Sequence, residues 1–190
     1  MNAWVLALLS YLLLGAELAL KDLLALGPTG VAPIVLIPLV VYVVMLAPPT
    51  PALWYALSVG VALDLTNLVA TREGGQTLTL VGPHAMGFLL MAHLVLATRG
   101  LLMKRNPVSI VFLSVVSAVV EGIVAIALVT LRARLHAELD WHATQEFVAL
   151  FGAALYTGAV AAVLWWPLLK LTPLLGLSDH ASRRIMRRVV

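Results

Sequence analysis

Cysteine is absent from this chain, and charge is scarce. Without cysteine there is no disulfide framework and no thiolate metal site, while the compartment stays open. Charged residues fill 11% of the 190 positions and hydrophobic ones 62%. A water-soluble domain of this size carries about a quarter charged residues, so too little polar surface exists to cover a globule in water. A broad basic face is missing too. The net charge is +3, yet most Lys and Arg fall in two short clusters, which argues against nucleic acid as a partner. The leading segment MNAWVLALLSYLLLGAELAL lacks the basic start and small-residue cleavage site of a signal peptide, and reads as a retained first span.

What the chain does have is long apolar runs. Six can be drawn, at about 3–20, 31–46, 51–69, 78–98, 108–131 and 147–171, most of them near the roughly 20 residues a spanning helix needs. The second is short and contains Pro33 and Pro38, so a kink or tilt is expected there. Alternating short segments of a barrel are not seen, and in lipid the backbone must satisfy itself, so helices are expected. The fold class is therefore all-α: a polytopic membrane protein with a single six-helix domain over 1–171 and a basic tail over 172–190. Connectors are short. Pro48-Pro49 makes a tight turn, and the longest connection, RARLHAELDWHATQ at 132–145, is expected to extend the fifth helix and then lie in the interface.

Orientation follows from Lys and Arg. With six spans, one side holds Arg99, Lys104, Arg105, Lys170, Arg183, Arg184, Arg187 and Arg188; the other holds Lys21, Arg72, Arg132 and Arg134. Eight against four puts both termini in the cytoplasm. The basic tail then lies beside the anionic leaflet of the lipid bilayer.

A few ionisable groups interrupt the apolar runs. At about 1.5 Å per residue, Asp64 lies roughly 20 Å from the cytoplasmic start of its span. Glu17, His84, Glu121 and Tyr156 fall at a similar depth in four other spans. Lone acids inside a membrane face the interior and pair, so Asp64 or Glu121 is expected on His84, with Asn67 or Tyr156 nearby. Two readings stay open: a layer that joins helices, satisfying the backbone freed at Gly82-Pro83, or a ligand site. No metal is expected. His84 and His93 are nine apart and so on opposite helix faces, and His136 with His142 is weak spacing. Ser109, Ser114 and Ser117 have no nucleophile motif around them, and no phosphate-binding glycine loop is present. No cofactor follows from any of this. Helix-packing signals are clearer. Ser114, Ala118 and Gly122 recur every four residues in span five, and Ala154, Gly158 and Ala162 in span six. Such small residues let backbones approach, within the chain or against a partner's helix.

The segment PIVLIPLVVYVVMLAPPTPALWYALSVGVALDL, a proline-led span followed by a helix ending in Gly60-x-x-x-Asp64-Leu65, resembles the rod shape-determining protein MreD family. The basic turn RGLLMKRNP is similar to that family's as well. The likeness covers roughly residues 30 to 130; the connection after Asp64 is longer than the family's short turn. The resemblance implies a non-enzymatic scaffold in the inner membrane of a bacterium. Its partner would be an MreC-like single-span protein, in a cell-wall elongation machinery with a SEDS glycosyltransferase and a class B penicillin-binding transpeptidase. It also implies an architecture shared with substrate-binding components of energy-coupling-factor transporters. A vitamin-type ligand site among the polar residues is thus the alternative expectation, and an intramembrane enzyme a distant third.

Overall fold

The computed structural model describes residues 2–25, 31–70, 77–102, 106–135 and 141–177. Six helices and a small ribbon occupy them: α1 (Ala3–Leu24), α2 (Leu36–Leu46), α3 (Pro49–Thr66), β1 (Leu68–Ala70), β2 (Thr77–Thr79), α4 (Pro83–Thr98), α5 (Pro107–Leu135) and α6 (Ala143–Leu171). Three of these helices, α1, α5 and α6, are long and apolar enough to cross a membrane.

The short α2 is the centre of the molecule. Its residues from Leu36 to Met45 are all buried, and α1, α3, α4, α5 and α6 all pack on it. A helix that is apolar all round needs such an enclosed place. Helix α1 is its opposite. Trp4, Leu8, Tyr11 and Leu12 are exposed, and only one residue in eighteen of its apolar run, Leu6, is buried.

Hydrogen bonds bring several helix ends together. The amide of Asn2 donates to Leu175 O at 2.9 Å, joining the start of α1 to the turn after α6. Arg99, just beyond α4, donates to Val44 O at 3.2 Å and Ala47 O at 2.8 Å, where its charge also suits the negative end of α2. Trp4, Trp54 and Trp166, all well exposed, sit near this same end, and Lys170 stacks 3.6 Å above the Trp166 ring. Tryptophan is enriched where membrane proteins meet the membrane–water interface.

Several boundaries differ from those expected. The run 31–35 is not helical, and α2 begins only at Leu36; Pro33 excludes a regular helix there, while Pro38 sits in the first turn, where no helical amide is lost. At about 16 Å for its 11 residues, α2 spans only half of a 30 Å hydrocarbon core. Helix α3 stops at Thr66, and the chain forms an antiparallel ribbon with Leu68 opposite Thr79 and Ala70 opposite Thr77. The alternation in Thr77-Leu-Thr-Leu80 suits a strand better than a helix. Gly82 has φ +126, a backbone state for glycine, and it holds α4 back until Pro83.

Helix α5 does extend to Leu135, as expected for the long connection, and Trp141 Nε1 folds back to donate to Thr130 Oγ1 at 2.9 Å. Residues 136–140 of that connection and 178–190 of the basic tail lie outside the described residues. The stretch assigned to the start of the tail belongs to the bundle instead: Leu175 and Leu177 are buried in the main core, and Thr172 Oγ1 bonds the Tyr42 hydroxyl at 2.5 Å.

Candidate functional site: a buried polar layer where two helices begin

Asp64 lies on the last turn of α3, facing the start of α4, and is 1% exposed. Its Oδ2 accepts from the amides of Gly82 at 2.8 Å and Ala85 at 3.0 Å, and its Oδ1 from the amide of His84 at 2.9 Å. The first amides of a helix have no partner within it, and they form its positive end. One carboxylate therefore satisfies three orphan donors at once, and the backbone dipoles offset its desolvation. This explains the spacing Gly60-x-x-x-Asp64. Four residues apart, both point at α4. A Cβ on Gly60 would lie 2.6 Å from Ala85 Cα and 2.8 Å from His84 O. Glycine brings the two backbones close enough for Asp64 to reach. Leu65, the third residue of that signature, is 58% exposed and points away from the cap.

The His84 side chain turns the other way. Its Nδ1 lies 2.5 Å from Glu121 Oε1 on α5, and its Nε2 lies 3.3 Å from Asn67 Nδ2. A hydrogen bond thus joins the ring to the Glu121 carboxyl on one side, and the Asn67 carboxamide closes the other. Glu121 is wholly buried. Gly87 lets α4 meet it closely: a Cβ there would fall 2.9 Å from Glu121 O. Neither acid is aimed at lipid.

Glu17 repeats the Asp64 device at the start of α2. Its Oε2 accepts from the Leu36 amide at 3.2 Å, capping α2 as Asp64 caps α4. Beside it, the amide of Ile34 donates to Thr157 Oγ1 at 3.0 Å. Glu17, Asn67 and His84 border a cavity of about 120 Å³ whose remaining walls include Leu18, Pro33 and Leu63.

Four of the five expected layer residues thus meet around the starts of α2 and α4. Tyr156 does not join them: it is half-buried, and α6 contributes the neighbouring Thr157, which is fully buried. A hundred degrees of helix rotation separates the two, too fine a difference for an estimate of depth. Thr157 could have been found as the polar residue on the same side as Ala154 and Gly158.

The small-residue stripes are used inside the chain. Ser114, Ala118, Gly122, Ala154 and Gly158 are all buried. A Cβ on Gly122 would collide with Leu150 Cδ1, and one on Gly158 would lie 2.5 Å from Val115 Cγ2, so α5 and α6 meet along both stripes. Ala162 is exposed; the inward residue is Ala161, because a helix turns 3.6 residues per turn and a strict four-residue step drifts off the face.

In chemical terms the layer offers a carboxylate committed to three amides, an imidazole held between a carboxylate and a carboxamide, and a small cavity beside them. Ser114 and Ser117 are buried with their hydroxyls unpartnered among the described residues, while the imidazole of His84 is engaged elsewhere. Among the described residues no group of three or more His, Cys, Asp or Glu is arranged to hold a metal ion. Comparison of the chain with family models, with curated proteins and with solved structures returned no match.

Proposed function

We propose that this chain is a non-enzymatic scaffold that crosses a bacterial inner membrane six times, the second time through the non-helical run 31–35 and the short α2 together, with both termini in the cytoplasm. Its partner is the transmembrane helix of an MreC-like protein in the cell-wall elongation machinery, alongside a SEDS glycosyltransferase and a class B penicillin-binding transpeptidase. The observation that carries the reading is an apolar groove of about 540 Å³ between α1 and α3, bordered by Ala3, Ala7, Leu14, Trp54, Val59 and Ala62. Small residues on both walls would let a foreign helix approach closely, and Ser10 and Tyr55, bonded to each other at 2.7 Å, cross its floor. The small-residue faces of α5 and α6 already cover each other. The open side of α1 is thus the surface left for a helical partner, and its association would rest on packing rather than on leaving water. The resemblance around Gly60 and Asp64 supports the family reading, since those two residues build the rigid corner behind the groove.

The chain has no cysteine, so a single engineered one gives a clean cross-linking probe. With a cysteine scanned along the partner's helix, Ala62→Cys is expected to form a disulfide to it, and Phe112→Cys, exposed on α5, is not. Cross-linking at Phe112 but not at Ala62, or failure of an MreC-like protein to co-purify in mild detergent, would refute the reading.

A second reading takes the cavity at Glu17, Asn67 and His84 as the site of a small-molecule-binding transport component. Its 120 Å³ is below the roughly 300–1,000 Å³ of ordinary ligand pockets, which is why the scaffold stands first. A vitamin-like compound that co-purifies and raises the melting temperature would reverse that order.

A further inference from the structure

A different groove opens at the opposite end of the bundle from Trp4, Trp54 and Trp166, between the first turn of α4 and the last turns of α5. Its volume is about 460 Å³, and its walls include Val81, Met86, Leu128, Leu131 and Arg132. Val81, Met86 and Leu131 are each more than half exposed. Arg132 is exposed as well, and its guanidinium has no ion pair or hydrogen bond among the described residues. Leu128 and Arg132 are four residues apart on one face of α5, so the cation sits about 6 Å beyond the leucine, toward the helix end.

Depth gives this arrangement its meaning. Arg132 is eleven residues past Glu121, about 16 Å along the axis. Glu121 is close to the middle of the apolar run of α5, and half of a hydrocarbon core is about 15 Å. The guanidinium therefore comes to the level of the lipid headgroups, with the apolar walls descending beneath it. Apolar walls below and an unpaired, fork-shaped cation above complement one kind of molecule: an acyl chain carrying a phosphate. Guanidinium groups bind phosphate through paired hydrogen bonds.

We infer that this groove binds a phospholipid, with an acyl chain along Met86, Leu128 and Leu131 and the phosphate on Arg132. The site rests on the membrane reading of the helices but not on the identity of any protein partner.

The test is native mass spectrometry of the full chain purified in mild detergent with added phosphatidylglycerol. The unaltered protein is expected to retain one lipid, and Arg132→Gln to retain it about tenfold less. Arg134→Gln, two residues on and outside the groove, should keep the lipid. Met86→Trp, which fills the groove and leaves the charge, should lose it. Equal retention by the Arg132→Gln protein, or displacement of the lipid by millimolar inorganic phosphate, would overturn the assignment. A carbonate wash separates the two levels of failure. A chain released from membranes by carbonate contradicts the membrane reading itself; one that stays but retains no lipid contradicts the lipid site alone.

Discussion

The pairs α1–α2 and α3–α4 are built on one plan and finished differently. In each, an acid in the second half of the longer helix caps the start of the shorter one. Asp64 receives three amides and is buried, with Gly60 drawing α3 against α4. Glu17 receives the Leu36 amide on a helix whose other faces are largely exposed. A Cβ on Gly15 would meet nothing within 4 Å. The lesson is that one local device makes a rigid corner or an adjustable one, depending on how close the backbones come. The tight corner anchors the bundle. The loose one leaves the groove between α1 and α3 open, where the proposed partner helix docks.

The comparison breaks most readily at its strong end. Asp64→Ala strips the start of α4 of the buried carboxylate that three amides share, so a loss of about 3–5 kcal/mol is expected, read as unfolding in mixed micelles with increasing SDS. A loss under about 1 kcal/mol would mean that the corner is not held by the carboxylate. Gly60→Ala should follow, at about 2–3 kcal/mol, because its Cβ meets backbone atoms that cannot turn aside. Gly122→Ala, which meets the end of one side chain, Leu150, and no backbone, should cost less than half as much. Equal costs would show that close approach of α3 to α4 is not special. At the weak end, Glu17→Ala removes the bond to the Leu36 amide and should cost about 1 kcal/mol in the same titration. A cost matching that of Asp64→Ala would erase the contrast between the two corners.

Much of this architecture was legible in the residues. Low charge and long apolar runs announced helices suited to a membrane, and the cost of a lone acid in lipid led to the meeting of Asp64, His84 and Glu121. The division of labour could not be read. The residues point to Asp64 or Glu121 on His84, whereas His84 takes both, Glu121 with its ring and Asp64 with its backbone. Depth counted along a helix fixes a level and not a direction, which is how Tyr156 stood in for Thr157, and a four-residue step drifts off a 3.6-residue face, which is how Ala162 stood in for Ala161. The ribbon at 68–70 and 77–79 was hidden because three-residue strands merge into the apolar runs beside them. The alternation in Thr77-Leu-Thr-Leu80 and the pair Gly82-Pro83 are the signals that the fourth helix starts late.

Amide hydrogen exchange at the start of α4 tests the central claim most directly, by NMR of the protein in micelles with Asp64 intact and with Asp64→Ala. If the buried carboxylate is the cap, the amides of Gly82, His84 and Ala85 lose their protection in the variant, while those in the middle of α2 keep theirs. Unchanged protection at these three amides would contradict it.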